Sequence, residues 1–264
     1  DSLENVTTAD DNTAIGYYAL QANTGSDNTA VGRSALAANT TGAQNVAVGL
    51  NAGDASTTAN NVTAVGYAAA SASNVNQITA IGSQALAQSS EAGTGVGYAA
   101  LFANTTGTAN VAVGDSAMIA NTTGIRNVAI GDSSLLTNTT GSFSTAVGYQ
   151  ALKSSNQSAN TAIGHEAMEL STGADSCTAV GGQALKNATG DDNTAVGRYS
   201  LNTLTSGANN VAVGYSAAKN QTTASQNTVV GALALDANTT GDNITAIGYD
   251  ALGANTTATN NTAC

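Results

Sequence analysis

The sequence predicts an all-β protein, a parallel β-solenoid (β-roll) of about 15 coils of 16–17 residues. Three observations lead to this prediction. A five-residue motif, N-T-A-[VI]-G, recurs along the whole chain; its residues alternate between β-branched side chains and alanine; and an N-T-T-G stretch separates many of the units. Units this short exclude leucine-rich, ankyrin and tetratricopeptide repeats, which need 20 residues or more.

The final glycine of the motif serves as an anchor for numbering the columns of the repeat. Anchors follow one another at intervals of 15 to 17 residues, and no segment lies outside the pattern. We therefore expect residues 1–264 to form a single repeat domain, a segment of a longer fibrous chain. The 15 anchors are Gly16, Gly32, Gly49, Gly66, Gly82, Gly97, Gly114, Gly131, Gly148, Gly164, Gly181, Gly197, Gly214, Gly231 and Gly248.

Each unit is expected to begin with a short strand that ends at its anchor. The residue before the anchor is Val or Ile in all 15 units, and the residue three before it is Thr in 11 units and Val in four. Both columns point to the same face of a strand, and we expect that face to be the core. On this interpretation Val31, Val48, Val65 and Ile81 are buried in successive contact, and Val113→Asp is damaging while the same change at Thr123 is nearly silent.

After the anchor the pattern predicts a glycine corner, a second short strand and a turn. The residue four after the anchor is Leu in ten units and Met in two, which is typical of an apolar packing position. In the N-T-T-G turn the glycine is expected to take a positive φ and the asparagine to bond to its own backbone. A second asparagine column should form a ladder along the stack, through Asn12, Asn28, Asn45, Asn110, Asn127, Asn160 and Asn193.

Two columns are almost restricted to alanine. Ala occupies the place two before the anchor in 13 of 15 units, and the place three after it in 13, with Ser134 and Ser200 in the others. Restriction to a methyl group indicates a close approach on that side. A cramped coil interior and a neighbouring chain packed against a flat small-residue face both explain it.

The composition excludes several classes of protein. With no tryptophan, two phenylalanines and 4% aromatic residues in 264, bulky side chains for a deep globular core are missing. A net charge of −11 with six Lys and Arg argues against nucleic acid as a partner. The sequence contains no run of about 18 apolar residues, so it predicts no membrane span.

The N-T-A-[VI]-G unit resembles the head repeats of YadA-like trimeric autotransporter adhesins. Repeats of the same kind also occur in phage tail fibres. The resemblance covers essentially the whole chain and rests on one short motif repeated 15 times. It implies a left-handed β-roll, three chains side by side as a homotrimer, and attachment to a surface. The units here are longer than the adhesin coil, and the N-T-T-G and Y-x-A-L parts depart from its pattern.

The sequence offers no constellation of catalytic or metal-ligating residues and predicts no enzyme, no cofactor and no metal site. His165 is the single histidine, and the adjacent Asp191 and Asp192 are turn residues without a tryptophan platform for sugars. One column is a candidate for ligand contact, because tyrosine offers a flat apolar face with a polar tip. Directly after the anchor stand Tyr17, Tyr67, Tyr98, Tyr149, Tyr215 and Tyr249. Shielding of the core edge at the corner is the alternative explanation of this column, and the favoured one.

Three lysines share another column, five after the anchor, in alternate coils: Lys153, Lys186 and Lys219. They are suited to acidic glycans or to discouraging lateral aggregation. The two cysteines, Cys177 and Cys264, are five coils apart, about 24 Å at the β-strand spacing, so an intrachain disulfide is not expected.

The leading hypothesis is a fibrous attachment module, an adhesin head or tail-fibre shaft, located outside the cell on a cell surface or virion. Its partners would be copies of itself and a cell-surface glycan or protein receptor. Ice binding is an alternative, because stacked threonine columns can order water, but a threonine column on the core face would be internal. A passive spacer in an extracellular filament is the third hypothesis.

Overall fold

The computed structural model describes residues 9–264, and within them the chain is all-β, with short parallel strands and no helix. The chain divides into two compact units, Asp1–Asn127 and Val128–Cys264. Both units are stacks of the predicted coil, so the parallel β-solenoid of about 15 turns is confirmed. The strands are β1 Thr13–Ile15, β2 Thr29–Val31, β3 Val46–Val48, β4 Thr63–Val65, β5 Thr79–Ile81, β6 Gly93–Val96, β7 Asn110–Val113, β8 Val128–Ile130, β9 Thr145–Val147, β10 Thr161–Ile163, β11 Thr178–Val180, β12 Thr194–Val196, β13 Val211–Val213, β14 Thr228–Val230, β15 Thr245–Ile247 and β16 Thr262–Ala263.

Pairing is parallel and in register within each unit. The first unit stacks β1 to β7 in chain order, and the second stacks β8 to β16. Equivalent residues of the repeat are therefore partners: Ile163 pairs with Val180, and Val196 with Val213. The anchor glycines follow in one file, as predicted.

The anchor glycines are required by both conformation and space. Gly164 has a φ of +139°, outside the range that other residues adopt readily, and a Cβ added there would lie 2.7 Å from the carbonyl oxygen of Gly181. Its N–H donates to the carbonyl of Val147 at 2.8 Å. The corner thus brings the backbones of adjacent coils too close for any side chain.

The prediction that the Val/Ile and Thr columns face the core is wrong. Val48 is 37% exposed and Ile81 39% exposed, while the alanine between the two β-branched columns is buried, at 0% exposure in Ala47 and Ala80. Val31, Val65 and Val113 are only partly buried. The Val/Ile and Thr columns therefore point outward, and Val113→Asp does not place a charge in the core; Thr123 is exposed as expected.

The alanine columns line the interior, which decides between their two explanations in favour of a cramped coil. Leucine four after the anchor fills the space between them: Leu86 is fully buried, and a Cβ added at Gly95, in the alanine column of the next coil, would lie 3.2 Å from its Cγ. A leucine that reaches across the coil leaves room for little more than a methyl group on the strand, and the larger Val229 is buried in this column where the preceding coil has Ala218 in place of leucine.

The segment after the corner is not a strand. It runs as successive turns in which residues two and four after the anchor have positive φ, for example Gln183 at 59° and Leu185 at 49°. Coil-to-coil hydrogen bonds still form, since the N–H of Leu185 donates to the carbonyl of Ser200 at 3.1 Å. Alternating conformations turn alanine and leucine, which are neighbours in sequence, toward the same interior.

The asparagine ladder is present in a modified form. The side-chain oxygen of Asn28 accepts the backbone N–H of Asn45 at 3.0 Å, and its amide nitrogen donates to the carbonyl of Gly42 at 2.9 Å. The same bonds recur at Asn12, Asn110, Asn160 and Asn193, each to the backbone of the next coil. The amides therefore hold strand and turn of adjacent coils together rather than bonding mainly to one another.

The turn asparagine bonds to its own turn as predicted, but the turn glycine serves another purpose. Asn39 donates to the carbonyl of Gly42 at 2.9 Å. Gly42 does not have a positive φ; a Cβ there would collide with the carbonyl oxygen of Ala59 and with Asn39. Close approach of the next coil, not backbone conformation, requires glycine here.

A pair of neighbouring substitutions tests the inverted strand face. Ala195→Asp places an unpaired carboxylate in the interior, which we expect to cost several kcal/mol of the free energy of unfolding. Val196→Asp, on the outward side of the same strand, should cost about 1 kcal/mol, the span of strand propensities. Thermal unfolding followed by circular dichroism measures both; a larger loss for Val196→Asp would contradict the assignment.

Candidate functional site

Within each unit the strands present an outer sheet face, defined here as the Thr/Val column three before the anchor and the Val/Ile column one before it. None of these side chains is buried in either unit; most are half-buried, and the exposed members of the Val/Ile column range from 36% at Val196 to 61% at Ile15. No charged residue occurs in the strand columns. Exposed apolar side chains in a continuous file indicate a surface that another body covers.

The threonine column lies on this outer face, which removes the argument made against ice binding. Thr161, Thr178 and Thr194 are in register on adjacent strands. Neighbouring threonines are therefore about 4.8 Å apart across the strands, with a valine or isoleucine about 6.7 Å further along each strand. The result is a regular grid of hydroxyl and methyl groups.

The six tyrosines of the candidate ligand column are all exposed, from 44% at Tyr149 to 77% at Tyr249. They stand at the corner after the strand, outside the core, and at least one coil without tyrosine separates each from the next. Between Tyr149 and Tyr215 the column holds His165, which stacks on Tyr149 with centroids 5.3 Å apart, and Arg198, one coil before Tyr215.

Two of the three lysines are neutralised by glutamates. Lys186 Nζ lies 2.8 Å from Glu166 and 2.9 Å from Glu169, and Lys153 lies 3.8 Å from Glu169. These four residues form a charged network in the segments that follow the corners of three adjacent coils. The lysine column is therefore not a continuous surface for acidic glycans; Lys219 alone of the three is outside the network.

The network shifts the ionisation of its central pair. The hydrogen bond from Lys186, together with one from Gln183 at 2.7 Å, holds the pKa of Glu166 below its ordinary value of 4.5. The hydrogen bonds to Glu166 and Glu169 raise the pKa of Lys186 above 10.5. Each group is thus kept charged by its partner.

The histidine and the aspartate pair are not brought into a catalytic arrangement. His165 is largely exposed, with Nε2 3.7 Å from the Glu166 carboxylate. Asp191 accepts the backbone N–H of Asp175 at 2.9 Å, which is a coil-to-coil turn contact. Within residues 9–264 no group of three or more His, Cys, Asp or Glu side chains comes together as a metal site would require.

Sequence analysis missed a second amide ladder inside the coil, seven residues after the anchor. Asn39 donates to Asn23 at 2.7 Å and Asn121 to Asn104 at 2.8 Å, and all four are at most 1% exposed. The repeated asparagine of N-T-T-G was the available signal. Asn39, Asn104 and Asn121 each begin an N-x-T triplet, and because their amides are buried these triplets are not accessible to glycosylation in the folded chain.

The cysteines are both free thiols. Cys177 replaces a ladder asparagine and is buried, and burial raises the pKa of its thiol to about 11. Cys264 follows β16 and is exposed, in the outward column rather than the core. Five strand pairings lie between the two.

One coil of the first unit is only 15 residues long, and a shallow depression of about 440 Å³ lies beside it. Gly93, which replaces the ladder asparagine, lines the depression together with Gln77, Glu91 and Thr108. The missing side chain explains the space. The lining holds a single charged group, so the depression offers little to orient a ligand.

Comparison with known proteins adds no relative: no protein-family model, curated protein or solved structure matches the chain. Among the described residues there is also no helix long and apolar enough to cross a membrane.

The charged network predicts a pH dependence of stability. Because the pKa of Glu166 is lower in the folded chain than its unfolded pKa of 4.5, the ionised carboxylate stabilises the fold at pH values above 4.5. This contribution disappears as the pH falls through the folded pKa. Glu166→Gln should therefore lose about 1 kcal/mol at neutral pH, and the difference from the unmodified chain should vanish in acid. Denaturant unfolding at several pH values measures it.

Glu91→Gln provides the control, since Glu91 makes no ion pair with another described residue. An equal, pH-dependent loss in Glu91→Gln would show that the network is not the source of the effect.

Proposed function

We propose that this chain is a fibrous attachment module that associates with copies of itself through the outer sheet face. The observation that supports the proposal best is the file of uncharged β-branched side chains on this face, none of which is buried in either unit. Val and Ile side chains are normally buried in proteins. Leaving a whole column of them in contact with solvent has a free-energy cost, which association removes.

Electrostatics favour a second copy on this face. The chain has a net charge of −11, so two copies repel each other over most of their surfaces. The strand columns contain no charged residue, and copies can approach there without bringing like charges together. Because every coil presents the same columns, a parallel copy meets matching β-branched side chains along its length.

The repeat extends this face by a fixed area with each coil. At about 4.8 Å per coil and about 10 Å per three-residue strand, each coil adds roughly 50 Å². Standard protein interfaces bury about 800 Å² per partner, so an interface of that size uses the strands of many coils. The homotrimer that the YadA-like resemblance implies is the assembly we propose, on the outside of a cell or virion and without catalysis.

The mass in solution tests the assembly. A trimer of the 25.7 kDa chain has a mass of about 77 kDa, which light scattering coupled to size exclusion separates from a monomer. Val196→Asp with Val213→Asp, adjacent on the outer sheet face, should reduce the mass to that of one chain because charges would be buried in the contact.

Thr172→Asp, on an exposed turn away from this face, is the matched control and should remain a trimer. A monomeric unmodified chain, or equal dissociation of the control variant, would contradict association through the outer sheet face.

Ice binding is a second candidate function for the same face, favoured by the outward threonine column. The grid of threonine hydroxyls and valine or isoleucine methyls is regular, uncharged and held by backbone pairing on every strand. Such an array can order water in place, but only when no protein copy covers it. The two candidate functions therefore exclude each other on one surface.

An ice-recrystallisation assay distinguishes them. If the chain is monomeric and binds ice, it should suppress crystal growth, and Thr178→Lys should abolish the suppression because a long cation breaks the flat grid. Thr172→Lys makes the same change on a turn and should leave the suppression intact. A trimer without effect on ice would exclude this candidate.

A further inference from the structure

An aromatic and cationic cluster lies on two adjacent coils of the second unit, apart from the outer sheet face. It consists of Arg198, Tyr199, Tyr215 and Lys219. The Arg198 guanidinium carbon lies 4.5 Å from the Tyr199 ring centroid, and Lys219 Nζ lies 5.5 Å from it. The rings of Tyr199 and Tyr215 meet edge to face with centroids 6.2 Å apart.

The cations of this cluster are not neutralised. No carboxylate of residues 9–264 lies within 4.0 Å of Arg198 or Lys219, whereas Lys153 and Lys186 in the same column as Lys219 are paired with glutamates. The nearest acidic side chain in the lysine column is Asp236, one coil further on. Two of the six cationic residues of an acidic chain are thus collected beside two tyrosines.

The scaffold holds the cluster in place. The backbone N–H of Ser216 donates to the carbonyl of Arg198 at 2.9 Å, and the hydroxyl and N–H of Thr203 both donate to the carbonyl of Lys219. The Arg198 guanidinium also donates to the Tyr199 hydroxyl at 2.6 Å. A ligand would therefore meet side chains that start from a rigid backbone, with little ordering cost.

We propose that Arg198, Tyr199, Tyr215 and Lys219 form a binding site for an anionic saccharide, a sugar chain bearing sulfate or carboxylate groups. The guanidinium offers paired donors to such a group and Lys219 adds a second positive charge. Tyr215, 52% exposed, offers a flat ring face for the apolar side of a sugar ring. The inference rests on the proposed attachment function and gives it a ligand class.

Within residues 9–264, no other tyrosine of the column has two cations free of carboxylate partners beside it: Tyr17 has Tyr18 against its ring and Arg33 one coil further on, but no lysine in either coil. Tyr149 has His165 against its ring, next to the neutralised network, and Tyr249 is followed by Asp250. Anionic sugars are therefore expected to select one place on the second unit rather than the whole column.

Binding of dextran sulfate, polygalacturonate and neutral dextran to the full chain at low ionic strength tests the site. We expect one or both polyanions to bind and neutral dextran not to bind, with sulfate and carboxylate distinguished by which polyanion binds. Arg198→Gln with Lys219→Gln should weaken binding about tenfold or more, as expected for lost charge-assisted hydrogen bonds. Lys153→Gln removes one positive charge from the same column and should leave the affinity within about twofold, since its charge is already paired.

Tyr215→Ala, compared with Tyr249→Ala, separates stacking from charge and retains every cation. A loss confined to Tyr215→Ala supports the site. Absence of polyanion binding by the unmodified chain, or an equal loss in Lys153→Gln, would overturn the proposal. The mass in solution, measured on the same samples, reports on self-association independently, so failure of the site is distinguishable from failure of the proposed assembly.

Discussion

Coil-to-coil contact at the backbone is the constraint on which this structure depends. At the corner, adjacent coils approach until the carbonyl of one anchor glycine occupies the space that a Cβ of the previous anchor would need; for Gly164 and Gly181 that separation is 2.7 Å. The same contact recurs at anchors of both units, whereas Gly248 has no neighbouring atom within 4 Å and shares only the positive φ, at +124°. The close approach in turn allows in-register parallel pairing of strands only three residues long, which would be too short to stand alone.

A narrow coil has a distinctive interior. Leucine and alanine fill it, and buried asparagines satisfy backbone groups that have no strand partner, as Asn28 does for Asn45 and Gly42. Buried amides are tolerated because they bond to an adjacent coil or to their own turn. Gln221 illustrates the tolerance limit: it occupies an asparagine column with one more methylene, and neither amide atom has a hydrogen-bond partner among the described residues.

The thin interior is filled by leucine, alanine and asparagine, so the surface is the place left for function. β-Branched side chains that a wider fold would bury are directed to solvent, where they form a flat uncharged face in an acidic chain. After the corner, exposed tyrosines stand in six of the coils, and paired charges link three adjacent coils of the second unit. A protein built this way presents a surface that repeats along the chain, and departures from the repeat, such as Arg198 beside Tyr199 and Tyr215, identify places where one coil differs in chemistry from the rest.

The sequence by itself determined the repeat, the strand that ends at each anchor, the turn, the buried leucine column and the parallel stacking. These follow from periodicity, because alternation of β-branched residues and a recurring glycine corner admit few other arrangements. Tertiary structure alone decided which side of the strand faces inward. Alternation defines two faces but does not label them, and hydrophobicity favoured burial of Val48 and Ile81 over Ala47 and Ala80. Leucine reaching across the coil leaves space for little more than a methyl group, so packing volume overrides hydrophobicity, and the larger side chains point outward.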